Sequence, residues 1–407
     1  MKGVVLCGGL PQAYLLDYLK ERGVETVLLD MNENVVARSH ADKFYPVSVL
    51  DVEAVKKVVV DEKADFLITV CADQVLEVVA QISEDLGLPC YIDADTAHNV
   101  SKKSFMKRIF VENGIPTSKH VILAELTEDA IEGLKYPLIV KPVDAYSSRG
   151  VKKCASFDEL TEGFAEAVRI SRTKTAIVEE FVTGDELTVD VWIEDGKANV
   201  MVISHLDKIG EDGKFVIHRS RFPAQISGDV RDQIERAAQG IATAFGLTNS
   251  PMLIQLITDG RSISVVEFCS RTGGGIKFRH IKKLAGFDVV KGVADLTLGQ
   301  KPHYEKKDMG VGYVYNQFLY CKEGELDRVE GLEELLRDGV ITEFAVFKAP
   351  GHKFTQINSS GDRVGYYAIE APTLEAVEQK CAEANSRVKV IARGGEDILR
   401  HDLIAKR

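Results

Sequence analysis

Two oxygen-bearing side chains occupy matching places on two predicted strands past the middle of the chain. Leu253–Thr258 and Ser262–Phe268 are apolar-rich runs joined by Asp259-Gly260, and this arrangement predicts a β-hairpin. Gln255 on the first strand and Glu267 on the second can then converge on one ion. Carboxylate and amide oxygens are ligands that Mg²⁺ prefers, so the pair predicts a magnesium site, with Mn²⁺ as the alternative ion.

An arginine and three glycines follow this hairpin directly. Arg271 could neutralise charge on a transferring phosphoryl group. Gly273, Gly274 and Gly275 would permit close backbone approach to a substrate carboxylate or acyl phosphate. A simple glycine hinge is the alternative interpretation of the three glycines.

A second group of residues suits phosphate binding. Tyr136–Lys141 is an apolar run that ends on a lysine, and a buried ammonium requires a phosphate, a partner or solvent. Ser147 and Ser148, in the small-residue loop that follows, could bring backbone N–H groups to phosphate oxygens. An ordinary Ser/Gly turn explains the loop equally, and the GxxxxGK[ST] pattern is absent. Lys103, on a predicted helix before Gly114, is by itself typical of a surface lysine.

Acidic residues cluster at the end of a predicted strand over Ala176–Phe181. Strand residues alternate between faces, so Glu179 and Phe181 share one side while Glu180 and Val182 share the other. A carboxylate beside backbone donors and acceptors suits an adenine amino group, and a further acid such as Glu186 suits ribose hydroxyls. A solvated acidic turn is the alternative.

A third group lies between the acidic strand and the hairpin. Arg219 or Arg221 could hold a carboxylate through two parallel hydrogen bonds, and His218 could assist removal of a proton from an amine. A solvated charged strand is the alternative. Both interpretations stay open at the level of the residues.

Strand and helix patterns alternate over the first 91 residues. Strands are predicted at Gly3–Cys7, Thr26–Asp30 and Phe66–Cys71, with helices at Pro11–Arg22 and Val52–Val60 among them. Such alternation predicts an α/β domain with a doubly wound parallel sheet. The last ~100 residues mix strands with a final helix at Leu374–Asn385, which predicts an α+β domain.

Composition narrows the class of protein. The 407 residues favour two or three domains, and the net charge of -11 without a basic stripe disfavours nucleic-acid binding. The apolar runs are far shorter than the ~20 residues of a membrane span, so no membrane association is expected. Seven cysteines without paired spacing favour reduced thiols and a cytoplasmic location.

Taken in this order, the motifs resemble those of the ATP-grasp superfamily. The resemblance implies an N-terminal pre-ATP-grasp domain over residues 1–95, an ATP-grasp domain over 96–300 and a C-terminal domain over 301–407. Lys103 and Lys141 match the lysines that contact ATP phosphates. Glu179 to Val182 match the hinge strand that holds adenine, and Glu186 matches the ribose-binding acid. The lobe over residues 116–181 is expected to move as a lid.

The metal motif matches the superfamily with two departures. Glu267 matches the bridging Mg²⁺ carboxylate, and Arg271 closes an E-x-N-P-R-like motif. Cys269 stands where most relatives place a metal-binding Asn, and Gln255 is neutral where many carry an acid. One tightly held metal is therefore expected. The form of this motif and of the tail is similar to the branch of L-amino acid ligases, with carbamoyl phosphate synthetase and biotin carboxylase as wider relatives.

The resemblance implies a Mg-ATP-dependent ligase with Lys141 and Arg271 in catalytic roles. A small-molecule carboxylate becomes an acyl phosphate, and an amine then displaces phosphate to give an amide or peptide bond. Homodimers are expected from the family. Two rival classes are an ATP-binding protein without turnover, supported by Cys269 and Gln255, and a dinucleotide-binding oxidoreductase. The oxidoreductase class is disfavoured because this sequence lacks the GxGxxG motif: Leu10-Pro11-Gln12 follow Gly8-Gly9.

Overall fold

The computed structural model describes residues 1–145, 149–209 and 216–405. A four-stranded parallel sheet forms first, in the order β3-β2-β1-β4. Its strands are β1 (Lys2–Leu6), β2 (Glu25–Leu29), β3 (Lys43–Tyr45) and β4 (Phe66–Ile68). Its helices are α1 (Leu10–Glu21), α2 (Val52–Asp61) and α3 (Leu76–Leu86). The predicted α/β alternation is confirmed.

Local signals explain where these elements begin and end. Helix α2 starts at Asp51, whose side chain accepts a hydrogen bond from the backbone N–H of Ala54. Helix α3 ends at Gly87, which adopts a left-handed φ of 63°. Strand β4 is shorter than predicted. It ends before Cys71, whose positive φ of 58° is incompatible with an extended strand.

A small antiparallel sheet follows two helices, α4 (Ala94–Ser101) and α5 (Lys103–Glu112). Its order is β5-β8-β6-β7. Its strands are β5 (His120–Leu123), β6 (Leu138–Pro142), β7 (Lys152–Cys154) and β8 (Ala176–Glu180). Helix α6 (Phe157–Ile170) packs on this sheet, and the two share a hydrophobic cluster of their own.

A large sheet of eight strands forms the centre of the molecule, in the order β13-β12-β9-β10-β11-β14-β18-β16. Its strands are β9 (Asp185–Glu194), β10 (Lys197–Ile209), β11 (Val216–Phe222), β12 (Ser250–Thr258), β13 (Ile263–Cys269), β14 (Tyr313–Leu319), β16 (Glu343–Val346) and β18 (Gly365–Ala371). Its accompanying helices are α7 (Gly228–Ala244), α8 (Lys277–Ala285) and α9 (Val289–Thr297). Because β11 pairs with β14, one continuous sheet crosses the boundary predicted at residue 300.

The C-terminal part adds a three-stranded sheet in the order β17-β15-β19. Its strands are β15 (Gly324–Glu330), β17 (Lys353–Phe354) and β19 (Lys389–Ala392). The helices here are α10 (Leu332–Arg337), α11 (Leu374–Arg387) and α12 (His401–Ala405). The predicted final helix is therefore α11, and it is not the last one. No helix in the described part of the chain has the length and apolar character to cross a membrane.

Candidate functional site

A cavity of about 560 Å³ lies between the small sheet and the large sheet. Its lining side chains come from the N-terminal, central and C-terminal parts of the chain. Residues predicted from the sequence that line it are Lys103, Lys141, Glu179, Glu180, Phe181, Val182, Glu186, Gln255, Glu267 and Arg271. The predicted Ser147 and Ser148 lie outside the described residues.

The hairpin places Gln255 and Glu267 side by side at the wall of this cavity. The two residues are directly paired in the β12–β13 register, where side chains on one face lie ~5 Å apart. Lys103 Nζ is 3.2 Å from Glu267 Oε2 and donates a hydrogen bond to the carbonyl oxygen of Ala145. Burial alone would raise the pKa of Glu267, but Lys103 and Lys141 hold it below its usual range. The carboxylate is therefore ionised at neutral pH.

These two side chains can supply part of the coordination shell of one hard cation, but not all of it. No group of three or more His, Cys, Asp or Glu side chains among the described residues is arranged to hold a metal. Burial raises the pKa of the Cys269 thiol well above its usual range, so the sulfur stays protonated and is a poor Mg²⁺ ligand. A Mg²⁺ ion at Gln255 and Glu267 would complete its shell with water and phosphate oxygens, as this ion commonly does.

Lys141 lines the cavity from β6 and forms a buried ion pair. Its Nζ is 2.5 Å from Glu179 Oε1, and both side chains are about 8% exposed. The other carboxylate oxygen of Glu179 is 2.9 Å from Lys107 Nζ. Sequence reasoning missed Lys107, although it lies one helical turn after Lys103 and therefore on the same helix face.

The end of β8 and the start of β9 form another wall. The backbone N–H groups of Glu180 and Phe181 donate to the carbonyl oxygens of Lys119 and Pro137, which fixes the strand end. Glu186 follows in β9 and forms an ion pair with Lys208. The apolar atoms of Phe181 and Val182 together with this acid give a wall that is apolar at one end and charged at the other.

Arg271 is held in place by an aspartate from the N-terminal part of the chain. Its Nε and NH2 donate to the two carboxylate oxygens of Asp73, each at 2.5 Å, and NH1 donates to the carbonyl oxygen of Thr272. Burial alone would raise the pKa of Asp73, but Arg271 holds it below its usual range. Sequence reasoning missed Asp73. The available signal was its place beyond the carboxyl end of β4, where open α/β sheets carry their sites.

Of the three glycines, Gly273 packs against a second buried ion pair. Lys277 Nζ is 2.7 Å from Asp190 Oδ2 and also donates to Thr188 Oγ1. A Cβ at Gly273 would lie 2.5 Å from Lys277 Cδ and 3.0 Å from Asp190 Oδ1, so a side chain at this position would disturb the pair. Gly274 is exposed, and Gly275 has a φ of 67° that favours glycine.

The predicted substrate residues on β11 lie apart from the cavity wall. Arg219 and Arg221 both bind Asp207, at 2.6 and 2.8 Å. Arg219 also lies near the ring of Tyr315, which belongs to the C-terminal hydrophobic cluster. His218 is 2% exposed. The structure therefore does not bring these three residues together with the lysines and Glu267.

The C-terminal part contributes Arg363 to the cavity wall. Its Nε donates to the hydroxyl of Tyr320 at 2.9 Å, and NH2 donates to the carbonyl oxygen of Ile217 at 3.2 Å. Both partners are neutral. The resemblance of the tail to a family branch suggested no role for this arginine, because its approach to β11 depends on the β11–β14 pairing.

A test of the Arg271–Asp73 contact follows from this geometry. The Asp73→Asn variant is expected to lower turnover ~10–100-fold, the usual effect of losing an outer partner that orients a functional group. Nucleotide binding is expected to change less. Asp61→Asn, at an exposed ion pair with Lys57 on α2, is the matched control. Steady-state turnover measures the effect, and equal activity of both variants would show that Asp73 does not orient Arg271.

Comparison with known proteins agrees with this arrangement. Residues 134–279 match the ATP-grasp domain family, and residues 317–393 match the L-amino acid ligase C-terminal domain 2. The chain therefore contains an ATP-grasp domain, followed by a C-terminal domain of the type named for the L-amino acid ligases.

Individual solved structures are distant in sequence, but their folds match almost the whole chain. An L-amino acid ligase from Bacillus licheniformis has a TM-score of 0.81 at 21% identity, with 96% of this chain and 98% of that one covered. The biotin carboxylase domain of a 2-oxoglutarate carboxylase from Hydrogenobacter thermophilus, solved with MgADP, has a TM-score of 0.77 at 14% identity, over 99% and 92%. These likenesses show the predicted ATP-grasp fold.

A curated relative by sequence is the formate-dependent phosphoribosylglycinamide formyltransferase of Hydrogenovibrio crunogenus. It is 28% identical over 233 residues, which are 55% of this chain and 57% of the relative. The match thus spans less than two thirds of that protein.

Proposed function

We propose that the protein is a Mg-ATP-dependent carboxylate–amine ligase that forms ADP and phosphate. The observation that carries this proposal is the convergence of Lys103, Lys141, Glu267 and Arg271 on one cavity in an ATP-grasp fold. Phosphoryl transfer needs positive charge around the phosphates and little covalent help from the protein, and this arrangement supplies it. The name of the C-terminal domain favours an amide or peptide bond as the product.

Each part of the cavity has a role in this proposal. Phe181 and Val182 hold the adenine ring, Glu186 binds the ribose, and Lys103 and Lys141 contact the phosphates. Gln255 and Glu267 would hold Mg²⁺, which would neutralise phosphate charge when bound. Arg271, at the cavity wall, would stabilise negative charge on the transferred phosphoryl group.

The reaction has two steps. A carboxylate oxygen attacks the γ-phosphorus of ATP, and the bond between that phosphorus and the β–γ bridging oxygen breaks. The products of this step are an acyl phosphate and ADP. The amine nitrogen then attacks the acyl carbon, the carbon–oxygen bond breaks, and phosphate leaves while the nitrogen loses a proton. The protein contributes position and charge, and it needs no covalent nucleophile.

Phosphate release from Mg-ATP, measured across a panel of carboxylates with and without a panel of amines, tests the proposal. Release that requires one acid and increases with one amine supports it. Tight nucleotide binding with no release for any pair favours the rival ATP-binding protein without turnover.

We further propose a cytoplasmic homodimer. All seven cysteines are free thiols, which suits a reducing compartment, and sedimentation analysis tests the dimer.

We also propose that the lobe over residues 116–181 closes on the nucleotide. It has its own hydrophobic cluster, separate from that of the large sheet, and it carries Lys141 and the β8 strand end. On addition of Mg-ATP, amide hydrogen exchange in β6 and β7 is expected to slow by ~10-fold or more. Strand β15 serves as the internal control. Exchange in β6 that ignores the nucleotide contradicts closure.

A further inference from the structure

A buried lysine stands directly behind the candidate phosphate-binding lysine. Lys107 is 1% exposed, which is rare for lysine because burial of an unpaired ammonium is costly. It does not line the cavity. Its Nζ lies 2.6 Å from Thr117 Oγ1, 3.3 Å from Ser118 Oγ and 2.9 Å from Glu179 Oε2.

The directions of the neighbouring hydrogen bonds identify Lys107 as an ammonium. Thr117 Oγ1 donates its proton to the carbonyl oxygen of Val265, and Ser118 Oγ donates its proton to Glu179 Oε2. Both hydroxyl oxygens must therefore accept from Lys107. Three acceptors match the three N–H donors of a protonated lysine. Burial lowers the pKa of Lys107, and Glu179 counteracts this effect.

Two ammonium groups thus share one carboxylate. Lys141 pairs with Glu179 Oε1 and Lys107 with Oε2, so the trio keeps one net positive charge. The surroundings leave that charge in place. Glu267 is already paired with Lys103, and burial lowers the pKa of His120, which is therefore neutral at pH 7. Of the two lysines, only Lys141 faces the cavity.

We propose that Lys107 is a positioning residue that serves as the permanent counter-ion of Glu179 and frees Lys141 to bind a nucleotide phosphate. When Lys141 turns to a phosphate oxygen, Glu179 keeps Lys107 and Ser118 as partners. Without Lys107, the same movement would leave a buried carboxylate without a cation, which is strongly unfavourable. Lys141 would then stay with Glu179. This inference rests on the proposed nucleotide site.

The location of Lys107 suits this role during lobe movement. Helix α5 contacts β13 of the large sheet, whereas Glu179 lies on β8 and Lys141 on β6 of the small sheet. Thr117 joins the network to Val265 of β13. Lys107 therefore lies on a helix that contacts the large sheet, which carries the candidate metal ligands, whereas Glu179 and Lys141 belong to the lobe over residues 116–181.

The test is the affinity for Mg-AMPPNP, a non-hydrolysable ATP analogue, measured by calorimetry. Lys107→Met keeps the length of the side chain and removes its charge, and it is expected to weaken binding ~10–100-fold. The double variant Lys107→Met/Glu179→Gln removes the carboxylate as well, so its affinity is expected to return to within a few-fold of wild type. Lys107→Arg should retain most of the affinity. Lys152→Met, at an exposed ion pair on β7, is the matched control.

The double variant separates a charge effect from a packing effect. A purely structural lysine would leave the double variant at least as impaired as Lys107→Met, and that result overturns the inference. Unchanged affinity in folded Lys107→Met overturns it too. If Lys107→Met fails to fold, Lys107→Arg and the double variant decide, and weak binding by the folded double variant overturns the inference. A wild-type protein that fails to bind Mg-AMPPNP removes the proposed nucleotide site itself, which is a different result.

Discussion

Replacement of Arg271 by methionine is expected to lower the rate of ADP formation about 10³-fold, the scale on which arginines that stabilise phosphoryl transfer act. The guanidinium lies at the cavity wall, where Asp73 fixes its orientation through two hydrogen bonds. It therefore needs little reorganisation when charge develops on the transferred group. Methionine fills similar space but offers no charge. Binding of Mg-AMPPNP is expected to change only a few-fold.

The measurement is a comparison of turnover and nucleotide affinity for the same variant. Arg279→Met is the matched control, because Arg279 is also an ion-paired arginine but pairs with Glu343 outside the cavity. That control should keep nearly full activity. An Arg271→Met protein with normal turnover would contradict the role of Arg271, and an equal loss in both variants would indicate damage to the fold instead.

Replacement of Glu267 by glutamine is expected to lower turnover ~10²–10³-fold at millimolar Mg²⁺, because the variant loses the one ionised carboxylate of the candidate metal pair. The neutral amide also releases Lys103 from its ion pair. Part of the loss should return at high Mg²⁺ concentration, since a weakened metal site is still filled by mass action. Titration of phosphate release with Mg²⁺ at saturating ATP measures both effects.

The neighbouring residue offers a control in the opposite direction. Gln255→Glu adds a second carboxylate to the pair and is expected to lower the Mg²⁺ concentration needed for half-maximal turnover. Opposite shifts in the two variants would support one shared metal. If Glu267→Gln left the Mg²⁺ dependence unchanged, Glu267 would not be a metal ligand, whatever its effect on the rate.

Elements with strong local signals were predictable from the sequence. The hairpin of β12 and β13 depends on alternating apolar residues around Asp259-Gly260, and the turn sets the register as far as the pair Leu256–Val265. A β-bulge between Leu256 and Gln255 then shifts the register by one residue and pairs Gln255 with Glu267. Helix α3 ends at Gly87, a residue type that readily adopts the left-handed conformation found at helix ends. Strand β4 ended earlier than predicted, since the positive φ of Cys71 carries no sequence signal for a residue other than glycine.

Candidate residues that belong to one motif were easier to find than their partners. Gln255, Glu267 and Arg271 stand close together in the sequence, and they line one cavity. Asp73 and Lys107 were missed because each acts on a residue far along the chain, across 198 and 72 positions for Arg271 and Glu179. The substrate role suggested for Arg219 and Arg221 stays a prediction, and the structure pairs both with Asp207.

The sequence by itself determined the local elements, the order of the motifs and the kinds of side chain available for chemistry. Hydrophobic periodicity and turn residues depend on only a few neighbouring positions, so both are recognisable in the sequence. The tertiary structure alone decided which charges meet. Whether Lys141 is free or paired, and whether Arg271 is fixed, depends on contacts between distant segments. Those contacts form only when the sheets pack, because burial makes each unpaired charge costly enough to select its partner.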